Sequence, residues 1–132
     1  MSGDVTGFPR ALLRAEGAIT LAVATALYAV LETGAVSGWW VFAVLILAPD
    51  LSMLGYLGGP RTGAVVYNLA HSHALPLALI GLGVIGPVPA ALGLGLIWAA
   101  HIGIDRALGY GLKYPDGFGH THLGRIGKDA RD

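Results

Sequence analysis

Cysteine is absent from this 132-residue sequence, and charged residues make up only 12% of it. The first absence excludes disulfide bonds, thiolate metal sites and thiol nucleophiles. The charged fraction is well below the share of about a quarter that soluble domains carry. Eight basic and eight acidic residues balance to zero net charge. No basic surface therefore indicates binding to nucleic acid, and no acidic tail indicates disorder.

The sequence is instead rich in hydrophobic residues, which make up 55% of the chain. They form four runs, each near the roughly 20 residues that a helix needs to cross a bilayer. The breaks between them are short and rich in turn residues, and short connections make neighbouring helices antiparallel. We therefore predict an all-α fold, an integral membrane up-down four-helix bundle over residues 1–110 with a cytoplasmic tail over residues 111–132. The predicted spans are 15–31, 39–57, 63–86 and 88–110.

Basic residues are confined to one side of this four-span arrangement. They precede the first span, lie in the second loop or follow the fourth span. Because cytoplasmic loops of membrane proteins carry the excess of lysine and arginine, both termini are predicted to be cytoplasmic. The basic residues are Arg10, Arg14, Arg61, Arg106, Lys113, Arg125, Lys128 and Arg131.

Glycine is abundant, with 21 residues, several of them in the runs "GLGVIG" and "LGLGLIW". In lipid, small residues let helix backbones approach each other closely. The glycines therefore predict tight packing inside the bundle, or a homo-oligomer formed through the glycine-rich helix faces. Membrane lipids are the other expected partners, and nucleic acid is not expected.

Ionisable residues occur deep in the spans, where they are costly and usually face the bundle interior or a cavity. With a rise of about 1.5 Å per residue, Asp50, His71 and His101 lie roughly 10 to 13 Å from the predicted cytoplasmic ends of their spans. Asp105 lies one turn from His101 on the same helix face, because residues four apart are neighbours. We therefore predict that these four side chains converge in one layer.

Imidazole and carboxylate together suit zinc, iron or manganese, and they leave coordination positions open for water and substrate. The four converging residues are therefore predicted to be metal ligands and catalytic residues. Tyr67 and Asn68, beside His71, are predicted to orient a ligand without touching the metal. In the tail, His120 and His122 form a His-x-His pair that either contributes further ligands or is solvated.

Three other interpretations stay open. The Asp–His layer is alternatively a structural network in a non-enzymatic bundle or complex subunit. His71 and His101 alone would suit a haem, although two carboxylates are odd neighbours for one. A proton or ion pathway would use the same groups, but it needs a polar route to the outer face that the sequence does not show. The sequence also leaves open the metal, the substrate, and whether His73 joins the site.

Two segments, "PDLSMLGYLGGPRTGAVVYNLAHSHALP" and "WAAHIGIDRALGYGLKYPDGFGHTHLG", resemble the small bacterial membrane proteins grouped as domain of unknown function 4260. The resemblance implies a short multi-pass protein, expected in the bacterial cytoplasmic membrane, and supplies no reaction. A shorter likeness is to membrane-bound metal-dependent hydrolases, which pair an "HS" stretch with a later His-x-x-x-Asp. Here those elements are His71, Ser72, His101 and Asp105, without the basic residue expected beside the first histidine.

The leading hypothesis is a membrane metalloenzyme whose site opens to the cytoplasmic side. It would hydrolyse its substrate if the metal activates water, or activate oxygen if the metal is iron. A site at this depth suits a lipid or another amphipathic substrate. Hydrolysis is favoured only through the likeness to the hydrolases.

Overall fold

The structure, a computed structural model, describes residues 4–126 of the chain. Two of the basic residues counted above, Lys128 and Arg131, lie outside the described residues. Helices make up most of the described chain, and two short strands lie near its C-terminal end. In order, the elements are α1 (Gly7–Val30), α2 (Trp39–Leu45), a 3-10 helix (Ala48–Gly58), α3 (Pro60–Ala70), α4 (Ala74–Ile85), α5 (Pro89–Leu108), β1 (His120–Thr121) and β2 (Gly124–Arg125).

Within residues 4–126, four helical stretches are long and apolar enough to cross a membrane. The second stretch joins α2 to the 3-10 helix, and the third joins α3 to α4. The predicted all-α helical bundle is confirmed, and its apolar helices are typical of a membrane protein. The four stretches are Gly7–Val30, Trp39–Gly58, Pro60–Ile85 and Pro89–Leu108.

The fourth stretch, α5, is the most buried of the four. It packs against both α1 and α4, while α3 packs against the 3-10 helix. Leu96, Ile97 and Ile102 of α5 are at most 1% exposed. The surrounding helices keep large apolar side chains on their outer surface. In lipid such a surface carries little cost, because lipid tails are as apolar as leucine.

Glycines bring α1 and α5 into backbone contact. A Cβ atom on Gly17 would lie 2.5 Å from the Cβ of Arg106 and 2.9 Å from the carbonyl oxygen of Gly103. A Cβ on Gly103 would in turn lie 2.7 Å from the carbonyl oxygen of Gly17. These two glycines are therefore used inside the bundle, and the homo-oligomer stays a prediction.

Two of the four stretches are interrupted where the polar residues lie. α2 ends at Leu45, and the 3-10 helix begins one residue before Pro49. α3 ends at Ala70, and α4 begins two residues before Pro76. Proline has no N–H to donate and is tolerated in the first turn of a helix, so each break falls just before a proline.

The first and last described residues meet at one end of the bundle. α1 begins at Gly7 rather than near Ala15, where the first span was predicted to begin. α5 is followed by Gly109, whose φ of 90° is left-handed, and the tail then folds into an antiparallel hairpin of β1 and β2. The backbone N–H of Val5 donates to the carbonyl oxygen of His122 at 2.8 Å. The tail is therefore attached to the start of α1.

Candidate metal centre

Four ionisable side chains from three helical stretches meet inside the bundle. One lies on the 3-10 helix, one directly follows α3, and two lie one turn apart on α5. Each contributes one ligand atom, and these atoms all lie within 4.8 Å of one another. They are the four ligands predicted from the sequence, and the structure brings all of them together: Asp50, His71, His101 and Asp105.

Five of the six distances between ligand atoms of this Asp–His group are nearly equal. The Nε2 atoms of His71 and His101 are 3.2 Å apart. Asp50 Oδ1 lies 3.3 and 3.2 Å from them, and Asp105 Oδ2 lies 3.4 and 3.3 Å from them. A metal ion about 2.0 Å from four tetrahedral ligands separates those ligands by about 3.3 Å. Neighbouring octahedral ligands around magnesium would be only about 2.9 Å apart, so these five distances are closer to tetrahedral spacing.

Backbone carbonyl groups orient both histidine rings. His71 Nδ1 lies 2.9 Å from the carbonyl oxygen of Tyr67, and His101 Nδ1 bonds to the carbonyl oxygen of Ile46. A carbonyl oxygen only accepts hydrogen bonds, so Nδ1 carries the proton and Nε2 of a neutral ring carries a lone pair. Two such lone pairs, 3.2 Å apart, repel each other unless a proton or a metal cation lies between them.

The break in the second stretch supplies one of these carbonyl groups. In an α-helix the carbonyl oxygen of Ile46 would accept from the N–H of Asp50. In the 3-10 winding that N–H donates to Leu47 instead, at 3.2 Å, and the Ile46 carbonyl is left for His101. The interruption therefore orients a side chain on a neighbouring helix. Irregular backbone at membrane depth is tolerated where protein buries it in this way.

The break in the third stretch is held by side chains of α5. Trp98 Nε1 donates to the carbonyl oxygen of Ala70 at 2.6 Å. Arg106 Nη2 donates to the carbonyl oxygen of His71 at 3.0 Å. These donors lie on either side of His101 in the sequence, so α5 fixes the backbone on which His71 stands.

One face of the group opens to a cavity of about 700 Å³. Asp50 and Asp105 are among its lining residues, and the two histidines are not. The histidine side chains are 3% and 6% exposed, that of Asp105 is 14% exposed, and that of Asp50 is 45% exposed. A ligand from solvent therefore reaches the group from the carboxylate side.

Comparison with known families covers the whole of this arrangement. A family model described as "Domain of unknown function (DUF4260)" matches residues 10–126. The chain belongs to this family. The match includes all four members of the group and the described tail. No curated protein and no solved structure matched the chain, so the likeness to membrane-bound hydrolases stays a prediction.

The two residues predicted to orient a ligand, Tyr67 and Asn68, act in different places. The Tyr67 ring stacks on the His71 ring, with centroids 3.7 Å apart and planes 7° apart, which restricts rotation of that imidazole. Asn68 instead holds the tail. Its Nδ2 donates to the carbonyl oxygen of Lys113 at 2.8 Å, and its Oδ1 accepts from the Lys113 N–H at 2.6 Å.

The structure does not bring the two tail histidines to the group. His120 Nδ1 lies 2.8 Å from Asp116, and its Nε2 lies 2.7 Å from Asp4. His122 Nδ1 accepts from a backbone N–H of the tail at 2.9 Å, and its Nε2 lies 3.1 Å from the guanidinium of Arg106. Because both nitrogens of each ring are engaged elsewhere, neither histidine is a member of the group. That these histidines are further ligands stays a prediction, which this geometry does not support.

His73 also lies outside the group. The sequence places it on nearly the opposite helix side from His71, and the break at the end of α3 does not turn it into the cluster. The structure thus separates two histidines that are two positions apart.

Sequence reasoning did not predict that Lys113 is buried beside the Asp–His group. It was counted among the basic residues of the cytoplasmic side, yet it is only 4% exposed and lines the same cavity as Asp50 and Asp105. Burial lowers the pKa of its ammonium group to about 8. That burial depends on the tail folding back onto α3, which no local sequence pattern indicates.

Proposed function

We propose that this chain is a multi-pass metalloenzyme of the bacterial cytoplasmic membrane, with both termini on the cytoplasmic side. In this proposal the Asp–His group binds zinc and hydrolyses an amphipathic substrate. The observation that carries the proposal is the spacing of 3.2 to 3.4 Å between histidine nitrogens and carboxylate oxygens from three helical stretches.

The basic residues at the tail end of the bundle support the orientation. Arg14, in the first part of α1, donates from Nε to the carbonyl oxygen of Ala107 at 2.9 Å, close to the end of α5. Arg106 and Lys113 lie at the same end, against the tail. The positive-inside rule assigns such an end to the cytoplasm.

Zinc is favoured by the ligand chemistry and by the spacing. Two neutral imidazoles and two carboxylates neutralise a divalent cation. Zinc takes nitrogen and oxygen ligands in tetrahedral sets, with bonds of about 2.0 to 2.2 Å. Magnesium and manganese prefer octahedral sets of oxygen ligands, whereas half of this group is imidazole. Octahedral magnesium would also require closer spacing than the five distances show.

The uneven exposure of the four ligands supports a catalytic ion rather than a closed structural one. A catalytic zinc has three protein ligands and a position for water. Both histidines are buried and Asp105 is 14% exposed, so these three would hold the ion, whereas Asp50 is 45% exposed. We assign Asp50 as the ligand that exchanges with water and accepts its proton. Zinc lowers the pKa of bound water from 15.7 to about 7, which supplies hydroxide at neutral pH.

Two cavities of different character support an amphipathic substrate. The cavity of about 700 Å³ is bordered by carboxylates and by the tail. A second cavity, of about 350 Å³, is lined by apolar residues, among them Pro49 and Ala70, which directly precede two of the ligands. A polar head in the first and an apolar chain in the second would bring the bond between them to the group.

Metal analysis tests the proposal. The protein would be purified in a maltoside detergent without a histidine tag, loaded with zinc, dialysed and measured by inductively coupled plasma mass spectrometry. We expect one equivalent of zinc in the wild type and in His73→Ala, the matched control. We expect none in His71→Ala and His101→Ala, because each lacks one of the two imidazole ligands.

Loss of folding must be separated from loss of the ligand. Helical content by circular dichroism identifies any variant that does not fold, and His71→Gln and His101→Gln keep a hydrogen-bonding side chain of similar length. Zinc should raise the unfolding temperature of the wild type and of His73→Ala, and leave that of the folded ligand variants unchanged. Wild type that stays metal-free would overturn the proposal in favour of a structural network. Wild type that retains iron instead of zinc would overturn the hydrolytic part of the proposal.

A further inference from the structure

Lys113 brings a positive charge to the cavity beside the Asp–His group. Its side chain is 4% exposed, and Nζ has no hydrogen-bond partner in the described part of the chain. Nζ lies 3.9 Å from the ring centroid of Phe118 and 4.8 Å from that of Tyr67. The faces of these rings attract the cation. They offer no oxygen acceptor for its three N–H donors.

The backbone of Lys113 is fixed on both sides. Asn68 of α3 binds its N–H and its carbonyl group, at 2.6 and 2.8 Å. Lys113 also pairs with Thr121 of β1 in an antiparallel bridge. The ring of Phe118, from the same tail, packs edge-on against Tyr56 and Tyr67, with centroids 5.4 and 6.0 Å apart. The amine is therefore held in a preformed position.

The charges of the cavity favour an anion once a divalent metal is bound. The carboxylates of Asp50 and Asp105 then balance the two charges of the ion, and the ammonium of Lys113 is left uncompensated. An unpaired ammonium away from water is costly. Burial lowers its pKa to about 8, and a bound anion would favour the protonated form.

We infer that Lys113 binds a phosphate group of the substrate, next to the metal. This inference rests on the proposed function, because the metal neutralises the two carboxylates that would otherwise repel an anion. A phosphate has several acceptor oxygens, so one accepts from Nζ while another faces the Asp–His group. The phosphate belongs to a lipid headgroup or to a soluble phosphate.

Calorimetric titration of the zinc-loaded protein in maltoside detergent tests this inference. The probes are inorganic phosphate and dihexanoyl phosphatidic acid, a short-chain lipid. Lys113→Met keeps the length and apolar body of the side chain but removes the charge, and Arg125→Gln removes an exposed charge of the same tail. We expect about 10- to 100-fold weaker binding in Lys113→Met, the size of a lost charged hydrogen bond. Arg125→Gln should bind like the wild type.

The outcomes separate the phosphate site from the metal site. Zinc content in Lys113→Met should equal that of the wild type. Tighter binding of the lipid than of inorganic phosphate would identify a headgroup as the source, and equal binding would identify soluble phosphate. Wild-type binding by Lys113→Met, or no binding of either probe, would overturn the inference. Wild type without zinc would overturn the proposed function and the inference with it, whereas wild type that binds zinc but neither phosphate probe would overturn the inference alone.

Discussion

The Asp–His group and the tail each hold a pair of histidines, and the two pairs have different hydrogen-bond partners. In the bundle, His71 and His101 each use one ring nitrogen on a backbone carbonyl, and the other nitrogen faces two carboxylates. In the tail, His120 has a carboxylate at each nitrogen. His122 has a backbone N–H at one nitrogen and a guanidinium at the other.

The difference shows what prepares an imidazole for a metal. A metal binds through a ring lone pair, so one nitrogen must hold the proton and the other must face the remaining ligands. The breaks in the second and third stretches allow this arrangement in the bundle, where the carbonyl of Ile46 fixes His101 and the backbone around His71 is held by α5. The His-x-His spacing of the tail says nothing about either nitrogen.

The largest expected effect is a loss of zinc affinity when Asp105, the less exposed carboxylate of the group, is changed. The tail histidines serve as the comparison. Asp105→Asn weakens the ligand next to both imidazoles and should lower zinc affinity by more than the roughly 10- to 100-fold that loss of an outer partner costs. His120→Gln and His122→Gln should keep wild-type affinity. Competition with a zinc-binding dye measures all three variants. If the tail variants lost as much zinc affinity as Asp105→Asn, the tail histidines would also belong to the metal site.

A smaller effect on metal binding is expected within the group itself. Asp50→Asn should retain zinc more tightly than Asp105→Asn, because the exposed ligand is the one that exchanges with water. Hydrolysis of dihexanoyl phosphatidic acid should nevertheless fall by about 100-fold or more, the usual contribution of a general base. The assays are the same dye competition and release of product over time. If Asp50→Asn lost zinc as completely as Asp105→Asn, the two carboxylates would not differ in their role at the metal.

The smallest expected effect is a pH dependence of the tail. The hydrogen bond from His120 to Asp116 raises the pKa of the imidazole above its ordinary value. The folded tail therefore holds that proton more tightly than the unfolded chain. This stabilisation is complete below the ordinary pKa of about 6.5 and is lost as the pH rises through the raised value.

Hydrogen exchange measures this pH dependence. The amide of Ile126, which donates to Gly119 at 2.8 Å, should lose protection as the pH rises through that window, after correction for the intrinsic exchange rate. In His120→Gln the protection of this amide should not change with pH across the window. If the protection in His120→Gln still falls with pH as it does in the wild type, another group causes the pH dependence.

Part of the candidate site follows from local rules. The apolar runs delimit the spans, and a constant helical rise places Asp50, His71 and His101 at similar depth. The spacing of four residues then adds Asp105 to the face of His101. The tail could not be placed in this way. Its position depends on contacts such as Asn68 with Lys113 and Val5 with His122, which join residues far apart in the chain.

The sequence by itself determined the all-α bundle, its apolar helices and the layer in which its carboxylates and imidazoles meet. Hydropathy and helical periodicity are local properties of the sequence, so they can be recognised without knowing which segments pack together. Only the tertiary structure decided which ring nitrogens face the centre, which carboxylate is exposed, and that Lys113 rather than a tail histidine joins the cavity. Each of these depends on hydrogen bonds and packing between distant segments, and such contacts exist only once the chain has folded.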